Sequence, residues 1–501
     1  GGSVFHNQVP TSMDNVYFYA NSFPAVVTVT IDQTIVYCMD MDWTGALGTP
    51  VFIGLSDKMV FIFGSTFLIP NMQWNIMGQV HFLAFELGKT VNLASHVLVQ
   101  AYFDGTGEWI LEGDFTVAGT CGNLSGYCYH RSGTLRTNGY DFNIGCYFES
   151  GSDNLSVLDL GSSTVNIGVN ATGGTFNMSG SSNAQLLAGT SSIKMVGLGN
   201  DFIVPATFIG GGKAYHIVEI LNKTLFYGGG TTSFYEAKFL NDTKVFGDNY
   251  YENVTISPGV TWSLSSNTTQ TISASGSFIA SGDCTDFVFI NTIQPGARAY
   301  LSKSGGFAIS NIIIKDNEVT GGGIFQAGNS VDLGNTQGWV ITVPPARTMY
   351  WVGGGGGWSE QSHWALSSGG VGENCVPTPS DNVFFDNNSG FGPGNNIVKL
   401  NSDMSFCNNI TWQVTTSTPP KFSAEQDRIF YVYGSLSFNA FMTSSNDSEI
   451  HFMSSNNNNI IDLAGNKLFR VYFDGTGEWI LEGDFTVAGT CGNLSGYCYH
   501  R

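Results

Sequence analysis

The chain has 501 residues, enough for two or more ordinary domains or one long solenoid, and 42% of them are hydrophobic, so a sizeable core can be buried. Only 12% are charged, against a typical quarter, and 39 acidic residues against 19 basic ones leave a net charge of −20. That balance repels phosphate backbones and anionic lipid surfaces alike, which excludes nucleic acid and membrane surfaces as natural partners.

The chain opens on Gly1 and Gly2, with no start Met and no signal-peptide pattern, so a processed or truncated chain is expected, with any export signal outside it. Runs of β-branched and aromatic residues at 27–31, 34–38, 59–63, 80–85 and 97–103, punctuated by Asn, Gly, Ser and Asp, predict strands. The most apolar stretch, 51–70, is cut by Ser56, Asp57 and Lys58, which predicts strands rather than membrane insertion. Cys121 and Cys128 follow in CGNLSGYC, where two Gly and an Asn suit a tight reversal. A disulfide between them is expected, and closing so short a loop contributes roughly 2–3 kcal/mol in the chain-entropy model. Free thiols and a metal pair are the rival readings, the last lacking the close Cys spacing and further ligands of a zinc site. Further along, SSTVNIGVNATGGTFNMSG, SSIKMVGLGNDFIV and TWSLSSNTTQTISASGSF continue the same pattern, with strand starts about every ten residues and no sustained helical period. The class is therefore all-β.

Residues 102–131 and 472–501 are identical, thirty letters at an offset of 370. Weaker matches continue upstream. VPTSMDNVYFYANSF from Val9 answers VPTPSDNVFFDNNSG from Val376, and Cys38 and Trp43 answer Cys407 and Trp412. The chain thus divides into a first repeat unit, 1–345, lacking its first twenty or so residues, and the start of a second, 346–501. Pro344 and Pro345 break any ladder at the junction. By the same alignment Cys491 and Cys498 are the second candidate disulfide pair, while Cys375 has Gln8 in its place, so a Cys375–Cys407 bond cannot be general to the array. A unit of this length is too long for one sandwich. It suits a parallel β-helix, or β-solenoid, of tandem units in which inward Val, Ile, Leu and Phe form one continuous core. The run Asn456 to Asn459 reads as a stacking ladder or a solvated loop.

YWVGGGGGWSEQSHWALSSGG (350–370), followed by PTPSDNVFFDNNS, resembles the opening of a repeat in giant surface proteins of gliding, type IX-secreting bacteria, and the segment 299–342 resembles its tail. The first unit lacks the Trp-rich opening, and Tyr19 stands where the second has Asp386. The resemblance implies a large, exported, extracellular or cell-surface array used for adhesion or surface filaments, such as the subunits of hook-like prey-capture appendages. It carries over no catalytic residues.

Parallel β-helices also host carbohydrate-active enzymes, whose sites cluster carboxylates, often with calcium. FDGTGEWILEGD supplies Asp104, Glu108, Glu112 and Asp114, repeated as Asp474, Glu478, Glu482 and Asp484, with Asp104-Gly105 reading as a hairpin turn. A solvated turn is the main reading there and calcium its rival. Asp40 and Asp42 share a face, but Asn409 and Thr411 replace them in the second unit, which argues against a metal in every unit. The eight histidines show no catalytic spacing, and His130 and His500 read as strand caps. Glycines 353–357 lack the Lys-Ser/Thr of a phosphate loop. Trp351, Trp358 and Trp364 either seal the core at the unit junction or stack on glycans. The expectation is a non-enzymatic structural subunit without cofactor, partnered by copies of itself in a multi-chain fibre. A single-chain adhesin binding another cell's surface glycans, and a β-helical carbohydrate-active enzyme, are the alternatives.

Overall fold

A computed structural model describes residues 8–23, 27–121, 125–152, 154–199, 202, 204–424, 427–446, 448–489 and 496–500. Strands are short, and their burial alternates: in Val51–Gly54 and Met59–Ile62 every second side chain is buried. That is the pattern of a pleated strand with one face on a core. With the exception of Trp364–Ala365, the strands pair in parallel from one coil to the next. Val16 lies beside Met41, Met41 beside Thr66, and Thr66 beside Val91. The advance per coil varies from 14 residues, Phe325 to Trp339, to 42, Gly356 to Val398. No α-helix occurs among the described residues; the helical content is two single 3-10 turns, Ala20–Ser22 and Gln361–His363. The fold is a parallel β-solenoid.

Three long sheets of 8, 12 and 14 strands run through residues 16–341, with three-stranded sheets at each end. A second set of 7, 4 and 5 strands runs through 348–500. Among the described residues no sheet holds strands from both sets, and the connection from Trp339–Ile341 to Thr348–Trp351 passes through Pro344 and Pro345, which have no N–H to offer a ladder. The repeat is structural as well as textual. Ile35–Cys38 answers Met404–Cys407 at an offset of 369, and Met59–Ile62 answers Ile429–Val432 at 370.

Parallel in-register pairing places like side chains one above another. Phe148, Phe176, Phe208 and Phe226 occupy successive coils, their ring centroids 5.4, 5.5 and 4.8 Å apart. Burying each ring contributes about 1.5–3 kcal/mol, and stacking adds about 0.5–1.5 kcal/mol per pair. Two such cores exist, one from Phe23 to Ala327 and one from Met349 to Val471.

Two local expectations are corrected. The run 97–103 is two strands, Val97–Leu98 and Gln100–Phe103, in different sheets, because the coil turns a corner at Val99. Asp104-Gly105 is likewise a corner between sheets, not a hairpin. A Cβ at Gly105 would lie 2.1 Å from Ala84 O and one at Gly107 2.3 Å from Glu86 O, so glycine is required where the previous coil passes beneath. The same holds for Gly475 and Gly477 in the repeat. In the asparagine run, Asn456–Asn458 form an exposed turn, and Asn459 donates from Nδ2 to Asn456 O and to Glu478 O on the next coil.

Candidate functional site: the joint between units

The sequence Ile312–Ile314 is buried at all three positions, although alternate residues of a strand point to opposite faces. Ile312 and Ile314 belong to the first unit's core. Ile313 points outward and packs with Val331, Leu333, Phe406 and Tyr431 in a separate apolar cluster, flanked by Phe287, Phe289, Met404 and Ile429. Phe406 and Tyr431 in turn alternate with Cys407, Phe430 and Val432, which line the second unit's own core. The joint is therefore one sheet face laid on another, with both sides apolar. It is not an end-to-end stacking of coils.

Covalent and polar links reinforce it. Cys284 of the first unit is bonded to Cys375 of the second, with Cα atoms 5.2 Å apart. Gln361 donates from Nε2 to Thr285 Oγ1 beside that bond. A cleft of about 250 Å3 lies between the units, lined by Asp286, Phe289, Ile313, Trp358, Asp403 and Phe406 among others. Burial and the neighbouring Asp283 carboxylate raise the pKa of Asp286. The cleft is smaller than the ~300–1,000 Å3 usual for small-molecule sites, and what the surrounding surfaces do best is hold two units in one orientation.

The second unit's start is pinned separately. Asp381 is fully buried and accepts from Arg347 Nε at 3.0 Å, Arg347 Nη2 at 2.6 Å, Thr378 N and Thr378 Oγ1, both at 2.7 Å. In the first unit Asp14 accepts from Thr11 N and Oγ1 in the same turn. Trp364–Ala365 lies antiparallel against Thr348–Trp351 and covers the open edge of that ladder.

The tryptophans are core residues. Trp351, Trp358 and Trp364 are all buried in the second unit's core, with Trp351 and Trp364 edge-on at 5.0 Å and Trp358 and Trp364 at 4.8 Å. Their rings are buried within the second unit's own core, which leaves no face open for stacking on a sugar. Trp358 also borders the inter-unit cleft.

The expected Cys121–Cys128 bond is replaced by Cys121–Cys146, with Cα atoms again 5.2 Å apart. The reason is strand parity. Cys128 sits in Tyr127–His130 in register with Ala101 and Phe148, so its side chain points into the core, whereas Cys146 lies in the corner of the next coil. Burial raises the Cys128 pKa, and burial followed by the Asp40 charge pushes that of Cys38 up to about 12. In the repeat, Cys498 is exposed, and Cys491 lies outside the described residues.

Asp104, Glu108 and Asp114 have separate partners. Asp104 accepts from His81 Nδ1 at 2.8 Å and from Arg131, Glu108 from Arg136, and Asp114 from the Asp141 backbone N–H. The hydrogen bond from Arg136 lowers the Glu108 pKa. His451 and Asp474 repeat the His81–Asp104 pair at 2.6 Å. Among the described residues no three His, Cys, Asp or Glu side chains converge as a metal site requires. Asp40 and its counterpart Asn409 do one job, accepting from the backbone N–H of Ser65 and Ser435, which needs an oxygen but no charge. His130 is not an exposed cap. It is fully buried, bonded to Ser150 Oγ and Gly133 O, and burial lowers its pKa to about 4.

The apolar cluster of the joint lies outside the residues that the sequence singles out for the junction, Pro344, Pro345 and the three tryptophans. Its signals were present: three consecutive isoleucines imply a strand covered on both faces, and outward-parity Phe406 and Tyr431 are aromatic where solvent-facing positions are usually polar. Comparison of the chain with protein-family models, with curated proteins and with solved structures gives no match.

Proposed function

We propose that this chain is a structural segment of an extracellular or cell-surface fibre or adhesive appendage, built from tandem β-solenoid units, and that it is not an enzyme. The observation that supports this is the joint: two repeat-related units held face to face by an apolar cluster and a disulfide, so that load passes from core to core. Two disulfides suit an oxidising compartment, and no helix is long and apolar enough to cross a membrane. The separate engagement of Asp104, Glu108 and Asp114 supports a non-catalytic reading. Copies of the chain are the proposed partners, associating side by side through surfaces poor in charge. Electron microscopy of native material tests this: regular multi-strand fibres are expected, and isolated particles alone would overturn it.

A glycan-binding adhesin is the second reading, favoured by one surface. Tyr235 and Tyr250 are half exposed beside a groove of about 410 Å3 that also carries Glu252, Thr271 and Ser273. His216 stacks on Tyr235 at 4.9 Å, and Glu252 accepts from Ser273 and Ser275 hydroxyls. Flat rings beside fixed polar groups suit a sugar. Glycan-array binding that disappears in Tyr235→Ala and Tyr250→Ala would favour this reading over the first.

A further inference from the structure

The second unit's half of the joint has a copy in the first unit. Met404, Phe406, Ile429, Tyr431, Tyr433 and Met453 correspond, at offsets of 369 for the first two and 370 for the rest, to Ile35, Tyr37, Met59, Phe61, Phe63 and Leu83. Every one of the six is apolar or aromatic in both units. The strands that carry the first four pairs match residue for residue, Ile35–Cys38 with Met404–Cys407 and Met59–Ile62 with Ile429–Val432, so the side chains point outward alike. What differs is cover. Phe406 is 7% exposed beneath the first unit, whereas its counterpart Tyr37 is 42% exposed. Ile35 is exposed too, and Met59, Phe61, Phe63 and Leu83 are half-buried. The rings form a continuous outer stack, Tyr37 on Phe61 at 5.5 Å and Phe61 on His81 at 4.4 Å, as Phe406 stacks on Tyr431 at 5.3 Å and Tyr431 on His451 at 5.1 Å. A contiguous exposed apolar strip on a soluble protein marks an interaction surface. Here the molecule itself shows what fits it.

We infer that the Ile35–Tyr37–Met59–Phe61 face of the first unit is a docking surface for the closing coils of another repeat unit, seated as Phe287, Phe289, Ile313, Val331 and Leu333 seat on the second unit. The occupant is thus an outward Ile/Val/Leu/Phe sheet face of this same repeat, offered by a unit whose own closing coils are uncovered. The inference concerns how consecutive units meet and holds whether the array forms a fibre or acts as a single-chain adhesin. It also predicts a difference between joints. Gln8 stands in the place of Cys375, so docking at this face lacks the Cys284 cross-link and relies on the apolar contact.

The test compares the full chain with a longer one in which a copy of residues 1–375, carrying Cys375→Gln, is placed directly before Val9, so that Val9 takes the position Val376 has and the cross-link is absent, as it is with Gln8. Hydroxyl-radical footprinting with mass spectrometry reads Tyr37. Labelling of Tyr37 is expected to fall about sixfold in the longer chain, from the exposure of Tyr37 towards that of Phe406 (42% to 7%), independently of protein concentration. Ile313→Arg in the added copy should restore the labelling, while labelling of core residues elsewhere stays unchanged. Equal Tyr37 labelling in the two chains, with the added copy's Cys121–Cys146 bond closed, would overturn the inference. So would Tyr37 protection that appears in the unextended chain only as its concentration rises, because that places self-association of another kind on this face.

Discussion

Cys284 and Cys375 are bonded to each other across 91 residues, and the bond joins a corner of the first solenoid to the opening of the second without belonging to either core. Non-reducing peptide mapping should recover the Cys284–Cys375 and Cys121–Cys146 peptides as linked pairs, with Cys128 alkylated only after unfolding. Closing a loop of that length contributes up to about 4–5 kcal/mol in the chain-entropy model. Cys284→Ser should therefore lower the unfolding temperature of the second unit while leaving the first unit's transition in place, as read by calorimetry. A Cys121–Cys128 peptide, or one unchanged transition, would contradict the assignment.

Trp364 closes the edge of the second unit and touches Trp351 and Trp358 inside its core. Trp364→Ala removes a fully buried ring, a change that costs about 3–5 kcal/mol. Urea unfolding should show the loss in the second unit's transition alone, because the two cores share no residue. The same applies to Trp351→Ser and Trp358→Ser. Retained stability with altered glycan binding would reverse the reading of all three as core residues.

Arg347 and Asp381 form the bidentate pair that anchors the second unit's first coil. Arg347 is partly exposed but Asp381 is not, so removing the guanidinium leaves a buried carboxylate with only neutral donors. Arg347→Met should destabilise the second unit by about 3 kcal/mol, at the low end for a broken buried pair. Arg347→Lys should recover only part of this, since an ammonium cannot make both bonds at once. Denaturant midpoints of the two variants give the comparison.

His130 sets a pH dependence for the first unit. Its pKa is about 4 in the folded chain against an ordinary value of 6.5, owing to burial. The unfolded chain therefore binds the proton first as pH falls. Stability from this residue is complete above pH 6.5 and is lost progressively towards pH 4, by about 3 kcal/mol in all. Urea midpoints of the first unit between pH 7 and 4 should fall accordingly, and His130→Asn should remove that part of the slope. An unchanged slope in the variant would show that His130 is not the titrating group.

Much of the fold was legible because it rests on local alternation. Strands at 35–38 and 59–62 were evident from β-branched and aromatic residues between turn residues, and their pairing follows once the repeat excludes a single sandwich. The corner at Val99 was not legible, because an apolar run that turns between two sheets keeps inward residues on both sides of the bend: Leu98, Ala101 and Phe103 are all buried. The partner of Cys121 was missed for a related reason. Proximity in sequence favours Cys128, but a coil brings Cys146 back to the same corner, 25 residues on.

The identical segments 102–131 and 472–501 separate the two sources of information most cleanly. Both copies keep the corner glycines at 105, 107, 475 and 477 and the strands Tyr127–His130 and Tyr497–His500, but Phe115–Val117 is a strand whereas its copy keeps only a single bridge at Val487, because among the described residues no later coil pairs with it. Their shared sequence does not determine burial. Leu111 is fully buried beneath the coil that carries Leu135, while Leu481, in the last strand of its ladder, is 50% exposed. His130 is buried by Ser150 on the following coil, and His500, with the same neighbours in sequence, is exposed. Tyr37 and Phe406 differ in the same way on the outer face. In a parallel solenoid each side chain is covered by a coil some twenty residues away or by a neighbouring unit, so exposure is decided by contacts that no local pattern encodes.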